Sequence, residues 1–158
     1  MPTTTPDIGF IRLPHALENL PEYKTAGSVG MDVQAAIAEP ITLGPLERAL
    51  VPTGLVIVLP EGYEAQVRAR SGLSIKHGIG LCNGIGTIDW DYRDEVKVAL
   101  VNLSNDAYTI QPGDRIAQLV IASVTIANIK ELPAESLALE KELASAGGRQ
   151  GGFGSTGR

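Results

Sequence analysis

The chain has 158 residues, 44% of them hydrophobic, which is enough for one domain to bury a core without a metal or disulfide to hold it. Its formal charge of −5 argues against a protein that grips a nucleic-acid backbone with clustered Lys and Arg, so any polyanionic partner is expected to be small. No apolar run approaches bilayer length and MPTTTPDIGF carries neither a basic nor an apolar signal segment, so a cytoplasmic protein with no membrane or nucleic-acid partner is expected.

In chain order, IGFIRL, VGMDVQAAI, ALVPTGLVIVL and YEAQVRAR are short β-branched runs bounded by Gly and Pro, and each reads as a strand. In GMDV, alternation turns Met31 and Val33 inward and the Asp32 carboxylate outward. In EAQVRAR it puts Ala65, Val67 and Ala69 on one face and Gln66, Arg68 and Arg70 on the other, so one face is buried. The next stretch, SGLSIKHG, predicts a short helical turn. Cys82, the only cysteine, lies in the apolar setting IGLCNG and is expected to be a small buried side chain in a reducing compartment.

NGIGTIDWDYR then crowds Asp89, Asp91 and Tyr92 into one turn before the strand pattern EVKVALVNL begins. A last strand, DRIAQLVIASV, holds the amide Gln118 among apolar residues, and a buried amide needs a partner. PAESLALEKELASA, rich in Ala, Leu, Glu and Lys, predicts a helix over 134–146. Many short strands at close spacing suggest a sandwich or barrel. The glycine-rich end, GGRQGGFGSTGR, has little apolar area with which to offset the cost of ordering it, and is expected to be a flexible arm.

Several of these residues carry chemistry by their type alone. An exposed carboxylate such as Asp89 is ionised at neutral pH and can take a proton from water. RARSGLS supplies a cation, a hydroxyl and a glycine that lets backbone N–H groups approach an anion. His15 and His77 are far apart with no cysteine pair nearby, so no zinc site is expected. The tail lacks the Gly-Lys-Ser or Gly-Lys-Thr of a Walker motif.

Five separated segments, AGSVGMDV, RARSGLSIKHG, NGIGTIDWDYR, GDRIAQLVI and GGFGSTG, closely resemble in order and spacing the five motifs of the trimeric dUTPase family. The resemblance covers most of residues 24 to 157. It implies a jelly-roll-like β-barrel body of the β-clip type over 1–146 and a nucleotide-closing arm over 147–158. It implies a homotrimer with sites between subunits, and hydrolysis of dUTP to dUMP and pyrophosphate, which keeps uracil out of DNA and supplies dUMP for thymidylate synthesis. By resemblance, Asp89 is the general base for the water that attacks the α-phosphorus, and Tyr92 lies against the deoxyribose.

Gly86, Thr87 and Ile88 would read uracil through the backbone, with Asn83 and Lys97 also touching the ligand. Arg70, Ser71, Gly72 and Gln118 match phosphate-contacting positions. In the arm, Phe153 would stack on uracil while Gly154, Ser155 and Arg149 approach the phosphates. Arg149 stands one place closer to Gly-Gly-Phe than the family's arginine usually does, and Asp94 replaces the usual glycine after DYR. Asp32 would help hold Mg2+ through water, the metal arriving mainly on the triphosphate. Two other readings fit less well: a dCTP deaminase-like enzyme, and a catalytically silent nucleotide-binding trimer.

Overall fold

The structure, a computed structural model, describes residues 5–148. By its contacts the chain divides into two compact units, Met1–Thr125 and Ile126–Arg158. Eleven strands and one short helix make up the described part of the first: β1 (Gly9–Arg12), β2 (Gly30–Gln34), β3 (Ile41–Leu43), β4 (Arg48–Pro52), β5 (Leu55–Val58), β6 (Tyr63–Arg68), α1 (Ser71–His77), β7 (Ile79–Leu81), β8 (Ile85–Ile88), β9 (Lys97–Asn102), β10 (Tyr108–Ile110) and β11 (Arg115–Ser123). The second unit contains α2 (Ser136–Ala146), which buries none of its residues and leaves Leu137, Leu139 and Leu143 exposed.

The fold is mostly β, as the strand-rich sequence implies, with helices where SGLSIKHG and the 134–146 segment predict them. All strand pairs are antiparallel, and they fall into four ladders: β2-β11-β6-β8, β4-β9-β7, β1-β5 and β10-β3. No helix of the described residues is long and apolar enough to cross a membrane.

The period-2 alternation read from the sequence fixes the faces. In β2, Met31 and Val33 are buried while Asp32 is half-exposed, and in β6 Ala65 and Val67 are buried while Arg68 is exposed. Between Arg115 and Ala117 the register of β11 against β2 shifts by one residue, so Ile116 is the extra residue of a bulge. Past the bulge, Gln118 stands opposite Asp32 on β2 and Arg68 on β6. The core joins residues from all four ladders, among them Val33, Val51, Ile57, Ile79, Leu100, Ile110 and Leu119. Asn102 is its one fully buried polar side chain, and its amide is satisfied: Nδ2 donates to the carbonyls of Leu43 and Asp106, and Oδ1 accepts from Ser104.

Leu119, 1% exposed, sits on β11 between the strands that bear Asp32 and Arg68. Leu119→Ala is therefore expected to cost about 2–5 kcal/mol of stability through the cavity it leaves. A urea titration would show this as a lower midpoint with an unchanged slope; an unchanged midpoint would mean that this core position collapses without loss.

Candidate active site

The residues named from sequence converge on two clusters, and the first is the turn between β7 and β8, the strand β8 itself and the turn that follows it. Asn83 lies at the tip, where its carbonyl accepts the Ile85 N–H at 2.8 Å, and β8 then pairs with β6 through Thr87–Gln66 and Gly86–Val67. Within the described residues β8 bonds to β6 on one side only, so its outer edge offers peptide groups to a ligand. Asn83, Gly86, Thr87, Ile88, Tyr92 and Lys97 line one pocket of about 200 Å³ over the buried side chains Val67 and Val96. That is smaller than the ~300–1,000 Å³ of typical ligand sites.

Asp89 follows β8 immediately and is exposed; its carbonyl accepts the Tyr92 N–H at 3.1 Å, which closes the turn. The Tyr92 hydroxyl donates to the Glu95 carbonyl at 3.0 Å. Burial first, then the charges of Asp94 and Glu95, raise the Tyr92 pKa, so the phenol stays a donor. Glu95 itself is 13% exposed, and its Oε1 accepts from His15 Nε2 at 2.7 Å and from the Gly54 N–H at 2.8 Å. Burial pushes the Glu95 carboxyl up, but the His15 and Gly54 hydrogen bonds and the positive charge of Lys97 outweigh it and hold the pKa below the ordinary value.

The second cluster lies on β2, β11 and the end of β6. Arg70, the residue that precedes α1, places Nε 2.9 Å from Asp32 Oδ1 and donates from Nη1 to the Arg115 carbonyl at 3.0 Å. Arg115 reaches the other Asp32 oxygen at 3.2 Å. Gln118 Nε2 donates to the Ala69 carbonyl at 3.0 Å, and its Oε1 lies where a Cβ on Gly30 would sit, 2.2 Å away, so a glycine at that position makes room for the amide. Ser71 and Gly72 open α1 and are exposed. Both oxygens of Asp32 thus face guanidinium groups, and among the described residues no cluster of His, Cys, Asp and Glu could hold a metal alone.

The two clusters are separate in one chain. Ile88, next to Asp89, pairs with Ala65, whereas Arg70 lies five residues further along in the direction of the second cluster. At ~3.3 Å per residue that is roughly 16 Å. Arg149, Phe153, Gly154 and Ser155 lie outside the described residues.

Two side chains escaped the sequence reading, Arg115 and Glu95, and His15, noted there only as no zinc ligand, is the partner of Glu95. Arg115 and Glu95 stand inside or beside quoted motifs, but their partners are 83 and 80 residues away, so no local pattern marked them. Cys82 corrects the sequence expectation: it is exposed, not buried. It sits in the turn between β7 and β8, with its N–H donating to the Ala99 carbonyl and its thiol 3.2 Å from the Leu100 carbonyl, while Ile79 carries the burial.

The dUTPase family model matches residues 18–157. A deoxyuridine 5'-triphosphate nucleotidohydrolase of Fusobacterium nucleatum is 54% identical over 139 residues, covering 88% of this chain and 90% of its own. One of Sinorhizobium medicae is 51% identical over 156 residues, covering 97% and 92%. Among solved structures, a Staphylococcus bacteriophage 80alpha dUTPase with dUpNHpp superposes with a TM-score of 0.77 over 96% of this chain and 99% of its own; at 24% identity that likeness shows the fold.

Because folding lowers the Glu95 pKa below its ordinary 4.5, the unfolded chain binds the extra proton at pH values between the two. The stability this carboxylate contributes is present above about 4.5 and is lost as pH falls through the folded value. Melting temperatures taken from about pH 6 down to pH 3 should therefore fall less steeply in Glu95→Gln than in the parent. Parallel curves would mean that the His15–Gly54–Lys97 contacts do not favour the charged form.

Proposed function

The chain belongs to the dUTPase family, and from that membership we propose that it hydrolyses dUTP to dUMP and pyrophosphate at a site shared between neighbouring chains. The observation that carries this is the hairpin pocket: six residues that the motif comparison assigns to the nucleoside line a single cavity. Uracil is read by the free edge of β8 at Gly86, Thr87 and Ile88, with Asn83 and Lys97 beside it. Tyr92 stands against the deoxyribose, where a 2′-hydroxyl finds no room.

Asp89 takes a proton from water as its oxygen attacks the α-phosphorus. The bond to the bridging oxygen breaks, and pyrophosphate leaves with that oxygen while dUMP stays in the hairpin. Arg70, Ser71, Gly72 and Gln118 bind the phosphate oxygens; the guanidinium of Arg70 is pre-oriented by Asp32, so little side-chain freedom is lost when it engages an anion. Asp32 would help hold Mg2+ brought by the triphosphate, through water since both its carboxylate oxygens already face arginines, and the ion would supply charge that offsets the phosphates.

The homotrimer belongs to this proposal for a geometric reason. In one chain the pocket that gathers the nucleoside residues is lined by none of Arg70, Ser71, Gly72 and Gln118, which collect instead around Asp32 and the start of α1. A neighbouring copy removes the difficulty. Residues 147–158 complete the site as an arm, with Phe153 on uracil and Gly154, Ser155 and Arg149 toward the phosphates. The protein then works in the cytoplasm, limiting uracil incorporation into DNA and supplying dUMP for thymidylate synthesis.

Asp89→Asn tests the reading. It should lower pyrophosphate release from dUTP by ~10²–10⁴ while leaving KM within a few-fold, since the carboxylate acts on the water and not on the base. The parent should turn over UTP and dTTP far more slowly than dUTP. An active Asp89→Asn enzyme would remove Asp89 from the mechanism, and ammonia from dCTP would replace the reaction itself.

A further inference from the structure

In the exposed turn after β8, Asp89, Asp91 and Asp94 all face solvent, whereas Glu95 is tucked inward. The backbone around it is fastened to the turn between β4 and β5: Thr53 Oγ1 donates to the Val96 carbonyl at 2.6 Å and the Val96 N–H to the Leu55 carbonyl at 2.8 Å. That turn requires glycine, because Gly54 has φ +69° and a Cβ there would lie 2.5 Å from Ala16 Cα. The Leu13 N–H closes the contact by donating to the Gly54 carbonyl at 2.8 Å, so the segment that carries His15 is clamped onto the same turn. His15 and the Gly54 amide reach Glu95 Oε1 together.

On its other side Glu95 touches two residues of the pocket wall. Its carbonyl accepts from the Tyr92 hydroxyl at 3.0 Å, and its Oε2 lies 3.7 Å from Lys97 Nζ. Tyr92 and Lys97 both line the nucleoside cavity, while Glu95 and His15 do not. We propose that Glu95, anchored by His15 and Gly54, is a positioning residue that holds the Tyr92 ring and the Lys97 ammonium at the pocket wall, so that discrimination between deoxyribose and ribose is set from the segment before β2.

The inference rests on the reading of this pocket as a deoxynucleoside site, and the physical reason for it is the mobility of the alternative. A turn with four exposed residues from Asp91 to Asp94 has little packing to fix a ring, so the reference point is the Glu95 that follows it, whose carbonyl holds the Tyr92 hydroxyl and whose carboxylate is tied to His15 and Gly54. A ring that swings would admit a 2′-hydroxyl and bind the deoxyribose less tightly.

The test compares Glu95→Ala, His15→Ala and His15→Gln on dUTP and UTP, with hydrogen exchange of residues 89–94 measured alongside. For both alanine variants KM for dUTP should rise about tenfold, and the preference for dUTP over UTP should fall by a similar factor, which is the scale of one lost charge-assisted hydrogen bond. Turnover at saturation should change by less than about threefold. Amides 89–94 should exchange faster while those of β11 stay protected, and His15→Gln, whose amide donates in place of Nε2, should behave as the parent.

Should Glu95→Ala fail to fold, His15→Ala carries the test, since His15 is 46% exposed. Unchanged selectivity, or an equal loss with both nucleotides, would overturn the proposal. If the parent itself does not hydrolyse dUTP, the reading of the pocket fails and exchange alone decides the positioning role: faster exchange at 89–94 supports it and unchanged exchange overturns it.

Discussion

Everything at the site depends on the register of β6 between its two neighbours. On one edge β11 brings Gln118 opposite Arg68, and on the other β8 brings Thr87 opposite Gln66 and Ile88 opposite Ala65. Ala65 and Val67 point into the core, so a slip by one residue on either edge would turn buried side chains to solvent. The apolar pattern therefore fixes where the polar groups stand. Val67 of the pocket and Arg68 are neighbours on β6, so inward and outward side chains of the same strand end serve different surroundings.

Charge works locally in this protein, not as a net field. The chain is acidic overall, yet Arg70 and Arg115 converge on the single carboxylate of Asp32, which leaves a local excess of positive charge beside Gln118. Asp32 and Arg70 are each about three-quarters shielded from solvent, so their ion pair is screened less than a surface pair would be. The carboxylate holds the guanidinium in place and leaves part of its donor fork for an anion. Gly30 contributes by being small, because the Gln118 amide occupies the space a side chain would fill.

Much of this was legible in the chain itself because it is written locally. Alternation in GMDV and EAQVRAR gave the buried faces, and NGIGTIDWDYR gave five of the pocket-lining residues, Asn83, Gly86, Thr87, Ile88 and Tyr92, within one short segment. Ala, Leu, Glu and Lys over 134–146 gave α2. What the sequence hid is what distant segments decide together. Glu95 reads as an ordinary charged residue before a strand until His15 and the Gly54 amide, brought from the segments before β2 and β5, meet its carboxylate. Arg115 needed a bulge at Ile116 and a partner on β2 to become part of a cluster. Cys82 lay in an apolar run, but the chain turns there between β7 and β8, and the residue is exposed.

The central claim of the proposed function is that Asp89 of one chain and Arg70 of a neighbour serve one substrate. Co-expressing Asp89→Asn with Arg70→Ala tests this directly, since each variant alone lacks one half of every site. Random assembly should restore about a quarter of the parent's dUTP hydrolysis, the chance that a given pair of neighbours supplies both intact halves. Activity no greater than the sum of the two separate variants would contradict the shared site and return both groups to one chain.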